Sequence, residues 1–166
     1  IAKTFSSDGA LGKAIPGFQA RQPQIDMAEA VSSAIKDQTQ LVVEAGTGTG
    51  KTFAYLVPAL LSGKKVIIST GSKNLQEQLY HRDLPLMVNA LGFYGQVALL
   101  KGRSNYLCLD RLSRQMVESH TNESDPTLLT QLVKVRTWSS ETKIGDLGDC
   151  DDLRYLIYYG WGIGDV

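Results

Sequence analysis

The stretch "EAGTGTGKT", Glu44–Thr52, decides how the rest of the chain is interpreted. A nucleoside triphosphate needs several donors around its β and γ phosphates, and glycines let successive backbone N–H groups turn inward without a Cβ in the way. Three alternating glycines provide such a turn here. Lys51 supplies a point charge for the phosphates, and the hydroxyl of Thr52 suits Mg²⁺. The stretch predicts a cradle for ATP and Mg²⁺, which we call the phosphate loop (residues 45–52).

The segments on either side of the phosphate loop predict an α/β fold. "LVVEA", Leu41–Ala45, and "KKVIIST", Lys64–Thr70, are short, apolar and rich in β-branched residues, as in buried parallel strands. "KTFAYLVPALLSG" between them predicts a helix that ends near Gly63. Strand, turn, helix and strand make a βαβ unit, and "QVALL", Gln96–Leu100, is a third candidate strand. A glycine-rich turn beside a chance Gly-Lys-Thr is the alternative, which this flanking pattern disfavours.

Composition excludes several classes of protein. The chain has 166 residues, 43% of them hydrophobic, and no apolar run approaches the length of about 20 residues that spans a bilayer. The two cysteines lie 42 positions apart and make no disulfide framework, so we expect a cytoplasmic protein. Its first residue, Ile1, and its unusual last segment, "YYGWGIGDV", suggest a fragment.

Charge is unevenly distributed along the chain although the net charge is zero. Residues 64–114 carry 8 Lys/Arg against 3 Asp/Glu, whereas residues 115–166 carry 4 against 9. A basic middle third fits a surface that faces a polyanion, although lysines and arginines on solvated helices would give the same count. Charge alone therefore leaves contact with nucleic acid open.

Four motifs in the same order resemble a known family. "RQPQIDMA", "EAGTGTGKT", "VIISTGSKNLQEQL" and "LLKGRSNYLC" together resemble the iron–sulfur superfamily 2 DNA helicases of the DinG and XPD type, with Ala45 in the A-x-x-G-x-G-K-T form of the loop. The resemblance is good over residues 15–115 and loose over 116–150. It implies a RecA-like P-loop NTPase with a parallel sheet, forming part of motor domain 1, followed by the helical start of an iron–sulfur insertion.

The resemblance implies roles for individual residues. Lys51 and Thr52 would be catalytic, and the nucleotide would be bound by Phe18, Arg21, Gln24, Ala45, Gly46, Thr47, Gly48, Thr49, Gly50, Lys51 and Thr52. In the family the element containing Gln24 recognises adenine, and a Gln amide can offer a donor and an acceptor to the base. The alternative is a helix start with Pro23 near its first position and Gln24 merely solvated.

Contact with DNA is implied for the segment after the second predicted strand. The family's motif at this point touches single-stranded DNA, and the matching residues are Thr70, Ser72, Lys73 and Gln76. Hydroxyl and ammonium groups are good partners for phosphates and carry no base information. An ordinary capped helix start, with Ser72 as the N-cap, explains the same residues and is compatible with the first interpretation.

Cys108 lies in the last of the four motifs. The resemblance implies that it is the first of four thiolates that hold a 4Fe-4S cluster, whereas a cysteine without such a context is more often a small buried hydrophobe. Cys150 stands in an acidic setting and is not assigned as a ligand. His81 and His120 do not match any metal-ligand spacing.

One catalytic element of the family is missing. Motors of this superfamily use an Asp-Glu pair to hold Mg²⁺ and to activate water, and no Asp-Glu pair occurs in the sequence. We therefore expect a segment that binds ATP but hydrolyses it slowly. The alternatives are a truncated, non-catalytic ATP-binding or interaction module and another P-loop phosphotransferase.

The expected organisation has four parts. They are a mobile lead-in (1–17), the ATP-binding part of motor domain 1 (18–100), the start of the iron–sulfur insertion (101–150) and an unassigned segment (151–166). The family implies 5′ to 3′ unwinding in DNA repair or replication. It also implies single-stranded and forked DNA as partners, a replication or repair protein as a further partner, and association with the nucleoid.

Overall fold

The computed structural model describes residues 1–121 and 126–150, without the side chains of residues 120 and 121. The chain divides into unit 1, Ile1–Ala98, and unit 2, Leu99–Val166. The segment 151–166, which the sequence left unassigned, lies outside the described residues. No helix in the described ranges is both long and apolar enough to cross a membrane.

Unit 1 is built from six helices. They are α1 (Ala2–Phe5), α2 (Ala10–Ala14), α3 (Gln22–Asp37), α4 (Lys51–Leu61), α5 (Lys73–Gln78) and α6 (Leu84–Leu91), with a π-helical turn, Leu79–Asp83, between α5 and α6. Helix α3 packs along α4, and α6 packs against α2 and α4. The core between them buries Phe5, Leu11, Ala28, Ala54, Leu56, Val57, Leu79 and Met87.

Local signals in the sequence explain where these helices begin and end. Pro23 occupies the first turn of α3, where its missing N–H costs no hydrogen bond, and Gln38 ends the helix with a φ of 56°. Helix α4 tolerates Pro58 in its interior, where the ring is buried. The hydroxyl of Ser72 accepts a hydrogen bond from the N–H of Leu75 (3.3 Å), so the predicted N-cap of α5 is present.

The N-terminal segment corrects the expectation of a mobile lead-in. Residues 1–17 contain α1 and α2, and the side chains of Phe5 and Leu11 are 1% and 0% exposed. Phe5 also lies 6.4 Å from Phe18 between ring centroids. Glycine and serine suggested mobility, but two well-placed apolar side chains are enough to fix the segment on the core.

The three predicted strands do not form a sheet within the described residues. The segments at 41–45, 65–70 and 96–100 carry no regular secondary structure, and the one isolated bridge in the described ranges joins Tyr106 to Asp146. Val42 is 96% exposed and Ile67 is 92% exposed. A strand is stable only when its backbone is paired and its faces are covered. In unit 1 the apolar helix faces bury one another instead, and the predicted parallel sheet is not confirmed.

Unit 2 contains two longer helices. Helix α7 (Leu109–Thr121) and helix α8 (Pro126–Glu141) pack against each other, and α8 begins at a proline, a residue favoured in the first turn of a helix. Their shared core buries Leu112, Leu132, Val135 and Cys150. The helices expected in residues 101–150 are therefore present in the described part of this unit.

A buried ion pair joins the two ends of the described part of unit 2. The ammonium of Lys101 lies 2.6 Å from a carboxylate oxygen of Asp146, and the two side chains are 12% and 9% exposed. The other carboxylate oxygen accepts the N–H of Gly148 (2.9 Å). Alongside, the N–H of Leu107 donates to the carbonyl of Gly145 (2.9 Å). These contacts hold the segment before α7 against the segment after α8.

We predict that this ion pair stabilises unit 2. Replacing Asp146 by Ala leaves the Lys101 cation buried without its main counter-charge, so the free energy of unfolding should fall by about 3 kcal/mol or more. Asp110→Ala removes the exposed pair with Arg114, whose side chains are 67% and 73% exposed, and should cost under about 1 kcal/mol. Both tryptophans, Trp138 and Trp161, follow residue 99, so fluorescence during urea unfolding reports on this unit. Equal losses in the two variants would contradict the prediction.

Candidate nucleotide site

The phosphate loop takes the backbone shape that its glycines permit. Gly48 and Gly50 have φ values of 76° and 81°, in the left-handed region that residues with a Cβ rarely adopt. Gly50 directly precedes α4, so Lys51 and Thr52 form the first turn of that helix. The predicted order of turn and helix is therefore present, although no strand leads into it among the described residues.

Lys51 lies across the loop that precedes it. Its Nζ donates hydrogen bonds to the carbonyls of Ala45 (2.8 Å) and Gly46 (2.7 Å). The hydroxyl of Thr49 closes the same turn by donating to the carbonyl of Gly46 (2.9 Å). The cation is thus positioned beside the turn, where it can neutralise a bound phosphate.

Two residues expected to bind the nucleotide contact the phosphate loop. Gln24 is only 5% exposed, and its Nε2 donates to the carbonyl of Gly50 (3.0 Å), which excludes a merely solvated side chain. Arg21 donates through Nη1 to the carbonyl of Gly48. A Cβ added to Gly50 would lie 2.1 Å from the Gln24 Nε2. The phosphate loop and the start of α3 therefore pack closely. The bonded residues are 26 and 27 positions apart in the chain, and local sequence pattern does not predict contacts at such separations.

Aromatic side chains and the phosphate loop line one cavity of about 280 Å³. Phe18 and Phe53 both contribute, with ring centroids 6.2 Å apart. Gln24, Gly50 and Thr52 line it as well. This volume is near the lower end of the range of about 300–1,000 Å³ that small-molecule sites occupy. Seven of the predicted nucleotide residues line this cavity, namely Phe18, Arg21, Gln24, Gly48, Thr49, Gly50 and Thr52, whereas Ala45, Gly46, Thr47 and Lys51 do not.

The cavity has a third wall, besides the aromatic side chains and the phosphate loop, which no motif in the sequence predicted. It comes from the end of α5 and the π-helical turn. Gln78, Arg82 and Asp83 line it. Asp83 is 5% exposed and accepts hydrogen bonds from Gln78 Nε2 (3.3 Å) and Arg82 Nε (3.0 Å). No short motif marks these residues, and a π-helical turn has no simple sequence signature, so only the folded chain reveals them.

Tyr55 interacts with both Thr52 and Asp83. Burial raises the pKa of the Tyr55 phenol above its ordinary value. A side-chain hydrogen bond with Thr52 acts in the opposite direction, and the nearby negative charge of Asp83 raises the pKa further. The phenol is therefore neutral at pH 7.

The candidate DNA-contact residues lie around the start of α5. Ser72 caps that helix, and the Thr70 hydroxyl donates to the Ser72 carbonyl (3.2 Å). Lys73 is exposed, and Gln76 is half-buried one turn later. The capped-helix interpretation is confirmed, and it is compatible with a role in contacting DNA.

The thiols of unit 2 have different surroundings. Cys108 is half-buried just before α7, where its carbonyl accepts the N–H of Leu112 (3.0 Å). Cys150 is 6% exposed within the apolar core of α7 and α8. No three His, Cys, Asp or Glu residues in the described ranges are grouped so as to hold a metal, so these residues do not by themselves fit an iron–sulfur cluster. Lys101, seven positions before Cys108, is paired with Asp146.

The known proteins to which the chain is similar include several bacterial proteins named as ATP-dependent helicases. The chain is 55% identical over 153 residues to an ATP-dependent DNA helicase YoaA of Haemophilus influenzae, covering 92% of this chain and 24% of that protein. It is 57% identical over 146 residues to the YoaA of Escherichia coli, covering 88% and 23%. It is 41% identical over 175 residues to an ATP-dependent helicase DinG of Mycobacterium tuberculosis, covering 94% and 25%.

These relatives are much longer than the chain, which spans between 23% and 25% of their length. No solved structure matches it. A profile of the DEAD/DEAH box helicase family matches residues 25–156, a range that starts in α3 and contains the whole phosphate loop. With its phosphate loop and this match over most of its length, the chain belongs to the DEAD/DEAH box helicase family.

Proposed function

We propose that this chain is the nucleotide-binding part of the first motor domain of an ATP-dependent DNA helicase. The observation that carries the proposal is the phosphate loop, in which left-handed glycines precede α4 and Lys51 lies across the Ala45 and Gly46 carbonyls. The names of the YoaA and DinG relatives support DNA unwinding as the activity of the whole protein.

In the proposed site each group of residues has a separate task. The backbone of residues 45–50 and the Lys51 ammonium bind the β and γ phosphates, and the Thr52 hydroxyl binds Mg²⁺. The Phe18 ring covers the adenine face. Gln24 and Arg21 act mainly through the loop, because their donors already bind the carbonyls of Gly50 and Gly48. The amide oxygen of Gln24 can still accept a hydrogen bond from the adenine edge.

We also propose that the three apolar segments pair in a parallel sheet in the longer protein. Family membership implies a RecA-like fold, and Val42 and Ile67 carry β-branched side chains that are almost fully exposed in the described chain. Leaving such side chains in water forgoes roughly 1.5–3 kcal/mol each. Strands contributed by the remaining length of the protein would cover them.

The proposed DNA contacts use side chains near the start of α5. The hydroxyls of Thr70 and Ser72, the Lys73 ammonium and the Gln76 amide would bind the phosphates of a single strand. Such contacts carry no base specificity, as suits a motor that moves along any sequence. The 5′ to 3′ direction, action on forked DNA and a role in repair or replication, with a protein partner and nucleoid association, complete the proposal.

Hydrolysis depends on groups outside the described residues. The phosphate loop supplies charge and backbone donors, but activation of the attacking water in this chemistry requires a carboxylate at the γ phosphate. We propose that the longer protein supplies it and that this segment alone binds ATP with very slow turnover.

The proposal predicts that Lys51 is essential. In the full-length protein, Lys51→Ala should lower ATP hydrolysis and duplex unwinding by about 100-fold or more, because the phosphates lose a preorganised cation. The matched control is Lys36→Ala, which removes an exposed lysine from the last turn of α3 and should change neither rate. Unwinding measured on a labelled forked duplex that survives Lys51→Ala would exclude the proposed function.

We further propose that Cys108 is one ligand of a 4Fe-4S cluster whose other thiolates come from elsewhere in the longer protein. Its half-buried position leaves the thiol partly accessible, in contrast to Cys150, which packs among Leu112, Leu132 and Val135. The cluster would supply a rigid thiolate-bound centre beside α7. The role of this chain would be to hold the Cys108 segment in place through the Lys101–Asp146 pair.

The two cysteines should therefore respond differently to the same substitution. In the full-length protein, Cys108→Ala should abolish the visible absorbance of the cluster and most of the bound iron, because a thiolate ligand is lost. Cys150→Ala trims a buried side chain and should leave the iron content unchanged. Iron analysis and absorbance of the purified variants provide the measurement, and full iron content in Cys108→Ala would contradict the assignment.

A further inference from the structure

The third wall of the nucleotide cavity contains a charged pair that no motif assigns. Arg82 and Asp83 are neighbours at the end of the π-helical turn, and both line the cavity together with Gly48, Gly50 and Thr52 of the phosphate loop. π-Helical turns are rare and concentrate at functional sites. The role inferred for this pair rests on the proposed nucleotide-binding function.

The Asp83 side chain is buried and accepts a hydrogen bond from Arg82. Its side chain is 7% exposed, one carboxylate oxygen accepts Arg82 Nε (3.0 Å), and the other accepts Gln78 Nε2 (3.3 Å). A buried carboxylate must be paired to remain charged. Asp83 thus anchors the inner end of the guanidinium and fixes its direction.

Arg82 lines the cavity and keeps guanidinium donors that the contact with Asp83 does not use. Its side chain is 71% exposed, and the contact with Asp83 uses Nε, one of five N–H donors in the group. Arg21 also lines this cavity and donates to the Gly48 carbonyl, whereas Lys51 lies over the Ala45 and Gly46 carbonyls and is not among the lining residues. The planar end of Arg82 matches the spacing of two phosphate oxygens.

We propose that Arg82 is a further nucleotide-binding residue, which contacts the phosphate chain of ATP from the wall opposite the loop, and that Asp83 positions it. Bound ATP would then be held by α4 and the phosphate loop on one side and by the π-helical turn on the other. The turn would close on the nucleotide through the flexible terminal part of the arginine side chain, while Asp83 remains fixed.

The test measures binding of a fluorescent ATP analogue to the full-length protein. Arg82→Ala should weaken binding by about tenfold or more, because a hydrogen bond to a charged group is lost. Arg82→Lys keeps the charge without the planar fork and should recover part of the loss. Asp83→Asn should weaken ATP binding less than Arg82→Ala, since the carboxylate acts only through the arginine.

The matched control is His81→Ala. His81 belongs to the same turn, pairs with Glu77 (3.0 Å) and has a side chain that is 65% exposed, but it does not line the cavity. This variant should bind the analogue as the wild type does. Thermal unfolding of each variant checks the fold, and Arg82→Lys keeps the test valid if Arg82→Ala does not fold.

Two results would overturn the inference without touching the proposed function. One is normal ATP binding by Arg82→Ala and Arg82→Lys when Lys51→Ala has lost it. The other is normal ATP binding with weakened binding of a single-stranded oligonucleotide in the absence of nucleotide, which would place Arg82 on DNA phosphates. If wild type and Lys51→Ala bind ATP equally, the proposed function itself fails.

Discussion

Three side chains that donate hydrogen bonds to the carbonyls of the phosphate loop hold together the proposed nucleotide site of this protein. Lys51 binds the carbonyls of Ala45 and Gly46, Arg21 binds that of Gly48, and Gln24 binds that of Gly50. A loop with left-handed glycines has little conformational preference of its own, so its shape must come from such contacts. Helices α3 and α4 pack against each other, and this packing brings the donors to the loop.

The same dependence on non-local contacts explains why the predicted sheet is not formed in the described chain. Helices α3 and α4 bury their apolar faces against each other. Each helix also forms its backbone hydrogen bonds internally, so neither needs a distant segment of the chain as a partner. A parallel strand obtains its backbone partners from strands that are distant in sequence. The segments around Val42 and Ile67 have the composition of buried strands, yet they remain exposed in a chain that spans a quarter or less of its YoaA and DinG relatives.

Unit 2 relies on a different kind of constraint. Its apolar core is small, and the buried pair of Lys101 and Asp146 adds a contact between segments that lie on either side of α7 and α8. Removing either charge of a buried pair leaves the other buried without its partner, so both segments are held where the two charges meet. The segment that contains Cys108 is therefore fixed by charge and backbone hydrogen bonds as well as by apolar packing.

The sequence by itself determined the phosphate loop, the start of α4 and the Ser72 cap, because each depends on residues within a few positions of one another. The resemblance to a helicase family came from the order of four such short motifs along the chain. The sequence did not determine the position of Gln24 and Arg21 on the loop carbonyls, the ordered lead-in with buried Phe5, or the Arg82–Asp83 wall. Only the tertiary structure decided these, since a buried polar group takes whichever partner packing brings within hydrogen-bond distance.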